Sequence, residues 1–247
     1  MKRILLVQFL LLLALTVNAQ HTFEGKIEYV RSTNLDRTID QMDEEDKEWI
    51  NKMRSQIPKH NIHYFDLYFN NKESIYKPGR ESEQTVNMWF ARSPASENVV
   101  YTDFTTEMVT AQKQVYEEKF LVKDTMRKMK WKIMDEVRTI ADFKCRKAVG
   151  VMYDSVYVIA FYTEDIPASG GPEMFGRLPG MIMEVAVPRL HTTWIASKVE
   201  FVKPEAKEMT PPKKGKETTQ KEMEKTLSTS LQRWGKFADR AVWWSLL

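Results

Sequence analysis

Hydrophobic and polar positions alternate from the start of "HTFEGKIEYV". Phe23, Ile27 and Tyr29 fall on one face and Glu24, Lys26 and Glu28 on the other, which predicts a half-buried strand. The period then lengthens. In "DRTIDQMDEEDKEWINKMRSQIP", Ile39, Met42, Trp49, Ile50 and Met53 recur at helical spacing and Pro58 closes the run, predicting a helix over about residues 36–55. From residue 61 the period returns to two. "IHYFDLYFNNKESIYKP" reads as a hairpin turning at Asn70-Asn71. "VNMWFARS", "ENVVYTDF", "KFLVKDTMRKMKWKIMD" with a candidate turn at Asp124-Thr125, the pair around Tyr153-Asp154 and the pair meeting near Pro188 read as further strands. Short turns between successive strands imply an antiparallel meander. After "KPEAKEMTPPKKGKE", which has linker composition, Thr219 and Glu222 have capping-box spacing. Met223, Leu227, Leu231, Trp234, Ala238 and Val242 then share one helical face, predicted to dock on the sheet.

The first residues change how the rest is read. "MKRILLVQFLLLLALTVNAQ" has a basic start, a short apolar run and a small-residue close at Val17-Asn18-Ala19, the form of a cleaved export signal. No cysteine stands near that point, so a lipid-modified amino terminus is not expected. Removing residues 1–19 takes away Lys2 and Arg3 and lowers the net charge from +3 to +1, which removes the case for a nucleic-acid partner. Expected divisions are residues 1–19 as signal, 20–203 as a β-rich domain, 204–218 as linker and 219–244 as carboxyl-terminal helix, with no membrane-spanning segment after signal removal. Cys145 is the sole cysteine, so no internal disulfide is available, and its strand-like setting favours burial over reactivity.

Candidate chemistry is sparse. His60 and His63 are spaced to opposite faces of a strand and lack a third ligand, and Asp36, Asp40, Asp43 and Asp46 lack the glycine of a calcium loop. Neither a metal nor a cofactor is expected. No G-x-S-x-G elbow occurs, and His191 sits at a hairpin tip with no local partner for Cys145. Glu164 and Asp165 follow a strand, where two acids serve a glycosidase or merely solvate a turn. Lys128, Lys130 and Lys132 alternate with Met129, Trp131 and Ile133, a sheet pattern that also offers a surface to an anionic lipid or an envelope protein.

"GPEMFGRLPGMIMEVAV" (171–187) matches no phosphate loop: Gly170, Gly171, Gly176 and Gly180 have the wrong spacing, and a strand rather than a helix follows. Leu178-Pro179-Gly180-Met181 instead reads as a type II turn leading into a buried strand at Ile182. "FGRLPGMIMEV", together with "KWKIMDEVRTIADFKCRKA" and "FYTEDIP…GP", resembles the signature of the GLPGLI family, exported proteins of Bacteroidota-type bacteria. The matching positions are Trp131, Lys132, Ile133, Glu136, Ile140, Cys145, Lys147, Ala148, Tyr162, Thr163, Asp165, Pro167, Gly171, Pro172 and the run 177–182. Arg177 replaces the hallmark's first glycine, Met181 its second leucine, and Phe161 a tryptophan. The resemblance implies export and carries no catalytic set.

These patterns predict an α+β fold: a strongly curved antiparallel sheet or half-open barrel of about seven to ten strands, with the two helices packed on it. The leading functional expectation is a non-enzymatic periplasmic or outer-membrane-associated protein that binds an apolar ligand or a protein partner on the curved sheet. The alternatives are an envelope or glycan hydrolase using Glu164 and Asp165, and an accessory subunit of an outer-membrane transporter or secretion system.

Overall fold

The computed structural model describes residues 23–247 apart from 87, 89, 92, 93, 154 and 235; the expected signal segment, residues 1–19, lies outside the described residues. Alternation is the rule from the first strand. In β1 (Gly25–Asn34), Ile27, Tyr29, Arg31 and Thr33 point inward. It is followed by β2 (His60–Phe69), β3 (Glu73–Pro78), β4 (Val99–Asp103), β5 (Met108–Val115) and β6 (Glu118–Thr125). These six form one antiparallel meander, the first wing. A second wing comprises β7 (Lys132–Ile140), β8 (Phe143–Met152), β9 (Val156–Thr163), β10 (Met181–Val187) and β11 (Thr192–Glu200). Pairing of β1 with β11 joins the wings, and β12 (Lys216–Thr218) adds to β6 in parallel. The result is one open, mixed sheet of twelve strands, more than the sequence predicted, ordered β12-β6-β5-β4-β3-β2-β1-β11-β10-β9-β8-β7.

The chain itself requires this sheet to curve. β6 and β7 stand ten positions apart, about 48 Å on a flat sheet. Yet only residues 126–131 connect them, a reach of at most about 25 Å. The sheet must therefore roll until its far wings approach, although β7 and β12 remain open edges and no closed barrel forms.

Both predicted helices divide. The first becomes α1 (Leu35–Asp40), capped by Asn34, and α2 (Glu44–Asn51). Ile39, Met42 and Ile50 are buried in a small separate cluster, whereas Trp49, expected on the apolar stripe, is half exposed. Arg54 bridges Asp36 and Asp40, Lys47 pairs with Glu44 and Lys52 with Glu48, so part of the acidic run is a paired surface. The carboxyl-terminal helix becomes α3 (Gln220–Ser230) and α4 (Lys236–Ser245), and the Thr219–Glu222 capping box forms in both directions. Met223, Leu227, Leu231 and Val242 join the main core, so this unit docks on the sheet.

Three further expectations change. In "VNMWFARS", Met88 lies in a bend and Phe90 and Ala91 in a turn, so none of the described residues of that run is in a strand. The run 119–135 divides at the expected Asp124-Thr125 turn, but β7 resumes only at Lys132, and residues 126–131 cross between the wings outside any strand. The last three residues of the predicted linker form β12, and the rest, residues 204–215, straps the outer face of the first wing. Met209 is buried there, Glu208 pairs with Lys77, and Ile75, outward by register, is only 2% exposed.

Candidate functional site

The loop between β9 and β10 is buried along most of its length: Ile166, Ala168, Met174, Phe175 and Leu178 all enter the core. A buried loop must satisfy its own backbone. Ile182 N–H donates to the Gly170 carbonyl at 2.9 Å, Ser169 Oγ to Leu178 O at 2.8 Å, and the Trp131 indole N–H to Gly176 O at 3.0 Å. The expected type II turn at Leu178–Met181 does not form. Gly180 has the positive φ, but at 145° rather than about 80°. Its N–H donates to Leu178 O at 2.7 Å, closing a three-residue turn about Pro179. Met181 N–H is already committed to Ile166 O at 2.9 Å as β10 begins, so it cannot close the wider turn. A methyl group on Gly180 would run into the Thr163 carbonyl. Arg177 also takes a left-handed conformation, φ 64°, and its guanidinium bonds Glu107 at 2.7 Å, tethering the loop to the first wing.

The loop carries Glu173 into the concave face of that wing. Glu173 is buried with φ 52°, and it accepts from Asn98 Nδ2 at 2.7 Å and from the Tyr76 hydroxyl at 3.5 Å. Burial raises its pKa, opposed by Lys113, Asn98, Arg31 and Tyr76. Lys113, on β5, is also buried; burial lowers its pKa, against the pull of Glu173. Its ammonium donates to Ser245 O at 3.3 Å, capping the end of α4. Arg127 holds the next carbonyl, Leu246 O. The Arg31 guanidinium lies between the rings of Phe65 and Trp244, 4.9 and 5.5 Å from their centroids, and its Nη1 donates to Ala95 O at 2.9 Å. Trp244 packs against Trp194, which meets Phe175 edge-on. The concave face is thus filled by the chain's own loop and carboxyl-terminal helix.

Some of the signature residues seat this loop and others lie away from it. Trp131 supports Gly176, Tyr162 and Thr163 are buried on β9, and Gly171 and Pro172 lie inside the loop, where a Gly171 side chain would fall 2.9 Å from Ile182 Cβ. Leu178, Met181 and Ile182 are buried, while Pro179, Asp165 and Pro167 are exposed. Lys147 pairs with Glu136 on the outer face. Cys145 is fully buried, its thiol pushed up to about 11 chiefly by burial. Lys128, Lys130 and Lys132 are all exposed but do not share a strand face, because the first two precede β7. Glu164 and Asp165 are both exposed at the loop's start, with Tyr162 OH donating to Glu164 at 3.5 Å. His60 and His63 do separate to different surroundings, and among the described residues no metal-binding group of side chains occurs.

The model of a protein family of unknown function (Porph_ging) matches residues 149–184, the stretch from β8 through the loop into β10. It names no activity. No curated protein matches the sequence. Two solved structures of PNGF-II, in two different space groups, superpose with TM-scores of 0.52 and 0.53 at 15% identity. They cover 79% and 89% of this chain but only 31% and 32% of PNGF-II, so this chain spans about a third of that protein's length. The likeness is one of fold. An uncharacterized conserved protein from Thermus thermophilus superposes at a TM-score of only 0.37 and 5% identity, over 78% of this chain and 90% of its own, and carries no argument.

The outer face differs between the wings. Over the first wing it is strapped by residues 204–215. Over the second, no described residue covers the corresponding stretch: Val151 and Tyr157, directly opposed on β8 and β9, are 42% and 61% exposed. Next to them Val149, Ile159 and Ala186 form a half-buried row across β8, β9 and β10. Beyond that row Arg138 stacks on Phe161 at 3.7 Å and bonds Glu184 at 2.9 Å, and Glu136 joins Arg138 and Lys147. This is an apolar patch with a charged rim.

Proposed function

We propose that the chain is an exported, non-enzymatic cell-envelope protein of the GLPGLI type, built as a half-open barrel, that docks a protein partner on the outer face of its second wing. The observation that carries the reading is the exposed Val151–Tyr157 pair beside the Val149–Ile159–Ala186 row, rimmed by Arg138, Glu184, Glu136 and Lys147. Apolar centres with charged rims are the anatomy of protein interfaces. A protein partner is favoured over an apolar ligand in the curve of the sheet because Trp194, Trp244, Phe175 and Leu246 already occupy that volume. Attachment through a spanning helix has no support, since among the described residues no helix is long and apolar enough to cross a membrane.

The test is co-purification from the native envelope with Tyr157→Lys and Val151→Lys. Both sites are exposed, so each variant should keep wild-type stability within about 0.5 kcal/mol. The reading predicts loss of a stoichiometric partner from both. Retention of the same partner by both variants contradicts it.

A further inference from the structure

Three inward-facing residues stand in one row across adjoining strands: His63 on β2, Arg31 on β1 and Trp194 on β11, with Arg31 directly opposite both. Each carries a buried nitrogen without a hydrogen-bond partner: Arg31 Nε and Nη2, His63 Nδ1 and Trp194 Nε1. The Trp194 indole points toward the Tyr76 phenol without closing a bond of good geometry. The two free nitrogens of Arg31 are those of one edge of the guanidinium, the parallel fork that grips both oxygens of a carboxylate. Arg31 is 0% exposed, and Glu173, the acid on this side of the core, is turned to Asn98 and Tyr76 and forms no ion pair with it. An unused fork at that depth is costly, since a buried donor without a partner has given up its water and gained no bond in return.

A cleft of about 410 Å³ reaches this row from outside at His63, with the buried Arg31 and Trp194 standing behind that residue rather than in its lining. His63 and Phe65, the flanking neighbours of Arg31, line it, with Tyr64, Pro78 and Val86 adding apolar wall. Ser96 lines it too, next in sequence to the Ala95 carbonyl that holds the third guanidinium nitrogen. Arg80, Glu81, Ser82, Thr85 and Glu97 complete its polar lining. We propose that this cleft binds a small organic carboxylate, its head drawn in past His63 toward the unused Arg31 fork directly opposite, its apolar body against Phe65, Pro78 and Val86. The site is separate from the outer face of the second wing and does not depend on partner docking there.

The purified protein is titrated with benzoate, with benzyl alcohol as its uncharged counterpart and with inorganic phosphate. Melting temperature and the His63 imidazole resonances are followed. Burial and the Arg31 charge hold the His63 pKa down to about 3, so an anion seated beside both should raise it, the other charges facing the cleft being Arg80, Glu81 and Glu97. Benzoate should raise the melting temperature and move the His63 signals, while benzyl alcohol and phosphate should do neither. Arg31→Lys keeps the charge and loses the fork, and should weaken benzoate at least about tenfold. Should Arg31→Lys not fold, Val86→Trp, which narrows the cleft without touching Arg31, should remove the benzoate response alone. No response to benzoate means that water alone fills the fork, and overturns the proposal. So does a response that survives in Val86→Trp, and an equal response to phosphate overturns the carboxylate assignment.

Discussion

The Glu173 carboxylate takes a 2.7 Å hydrogen bond from Asn98, tying the loop of one wing to the residue that precedes the first wing's fourth strand. Lys113 and Glu173 lie buried in the same cluster, each compensating part of the other's desolvation. Removing one charge strands the other. Glu173→Gln and Lys113→Met should each cost about 3 kcal/mol. The double variant should cost at least about 1 kcal/mol less than the sum of the two. Urea unfolding of the four proteins measures the coupling, and strict additivity would show that the two residues act independently.

Gly180 holds a φ of 145° against the Thr163 carbonyl, so both backbone conformation and space exclude a side chain. Gly180→Ala should destabilise the fold by about 3 kcal/mol. Denaturant unfolding followed by tryptophan fluorescence checks this, and an unchanged midpoint would mean that the loop can be rebuilt at little cost.

His63 is held neutral, its pKa lowered to about 3 by burial and then by Arg31. A depressed folded pKa contributes stability that is fully present above the unfolded value of 6.5 and is lost as pH falls toward 3. The unfolded chain binds the extra proton in that window, at up to about 1.4 kcal/mol per pH unit. Stability measured from pH 7 to pH 4 should therefore fall less steeply in His63→Gln than in the wild type. Parallel curves would contradict a neutral, buried imidazole.

Much of the sheet was legible because strand alternation is read residue by residue. The same alternation also signals the inward charges: Arg31 continues Ile27 and Tyr29, and Lys113 stands between Ala111 and Val115. Following each strand's period through its polar positions finds both. Glu173 and Asn98 were not legible, because neither lies in a periodic element and their meeting depends on a loop crossing between wings. The strand count and the parallel edge strand escaped for a similar reason: a three-residue strand inside a linker has no period to read. The helix breaks escaped too, since Ile39, Met42 and Ile50 keep helical spacing across the Gln41–Asp43 interruption. The proline-glycine turn was placed correctly but given the wrong hydrogen bonds, because the competing acceptor, Ile166 O, is distant in sequence from Met181.

The central claim is that the exposed outer face of the second wing is where this protein meets its partner. Site-specific photo-crosslinking in the living host tests it most directly, with the photoreactive residue at Tyr157 and, as a control, at Lys72 on the first wing's β2–β3 turn. The account predicts one discrete crosslinked species from position 157 and none from position 72. Crosslinks from position 72 alone, or from neither position, would contradict it.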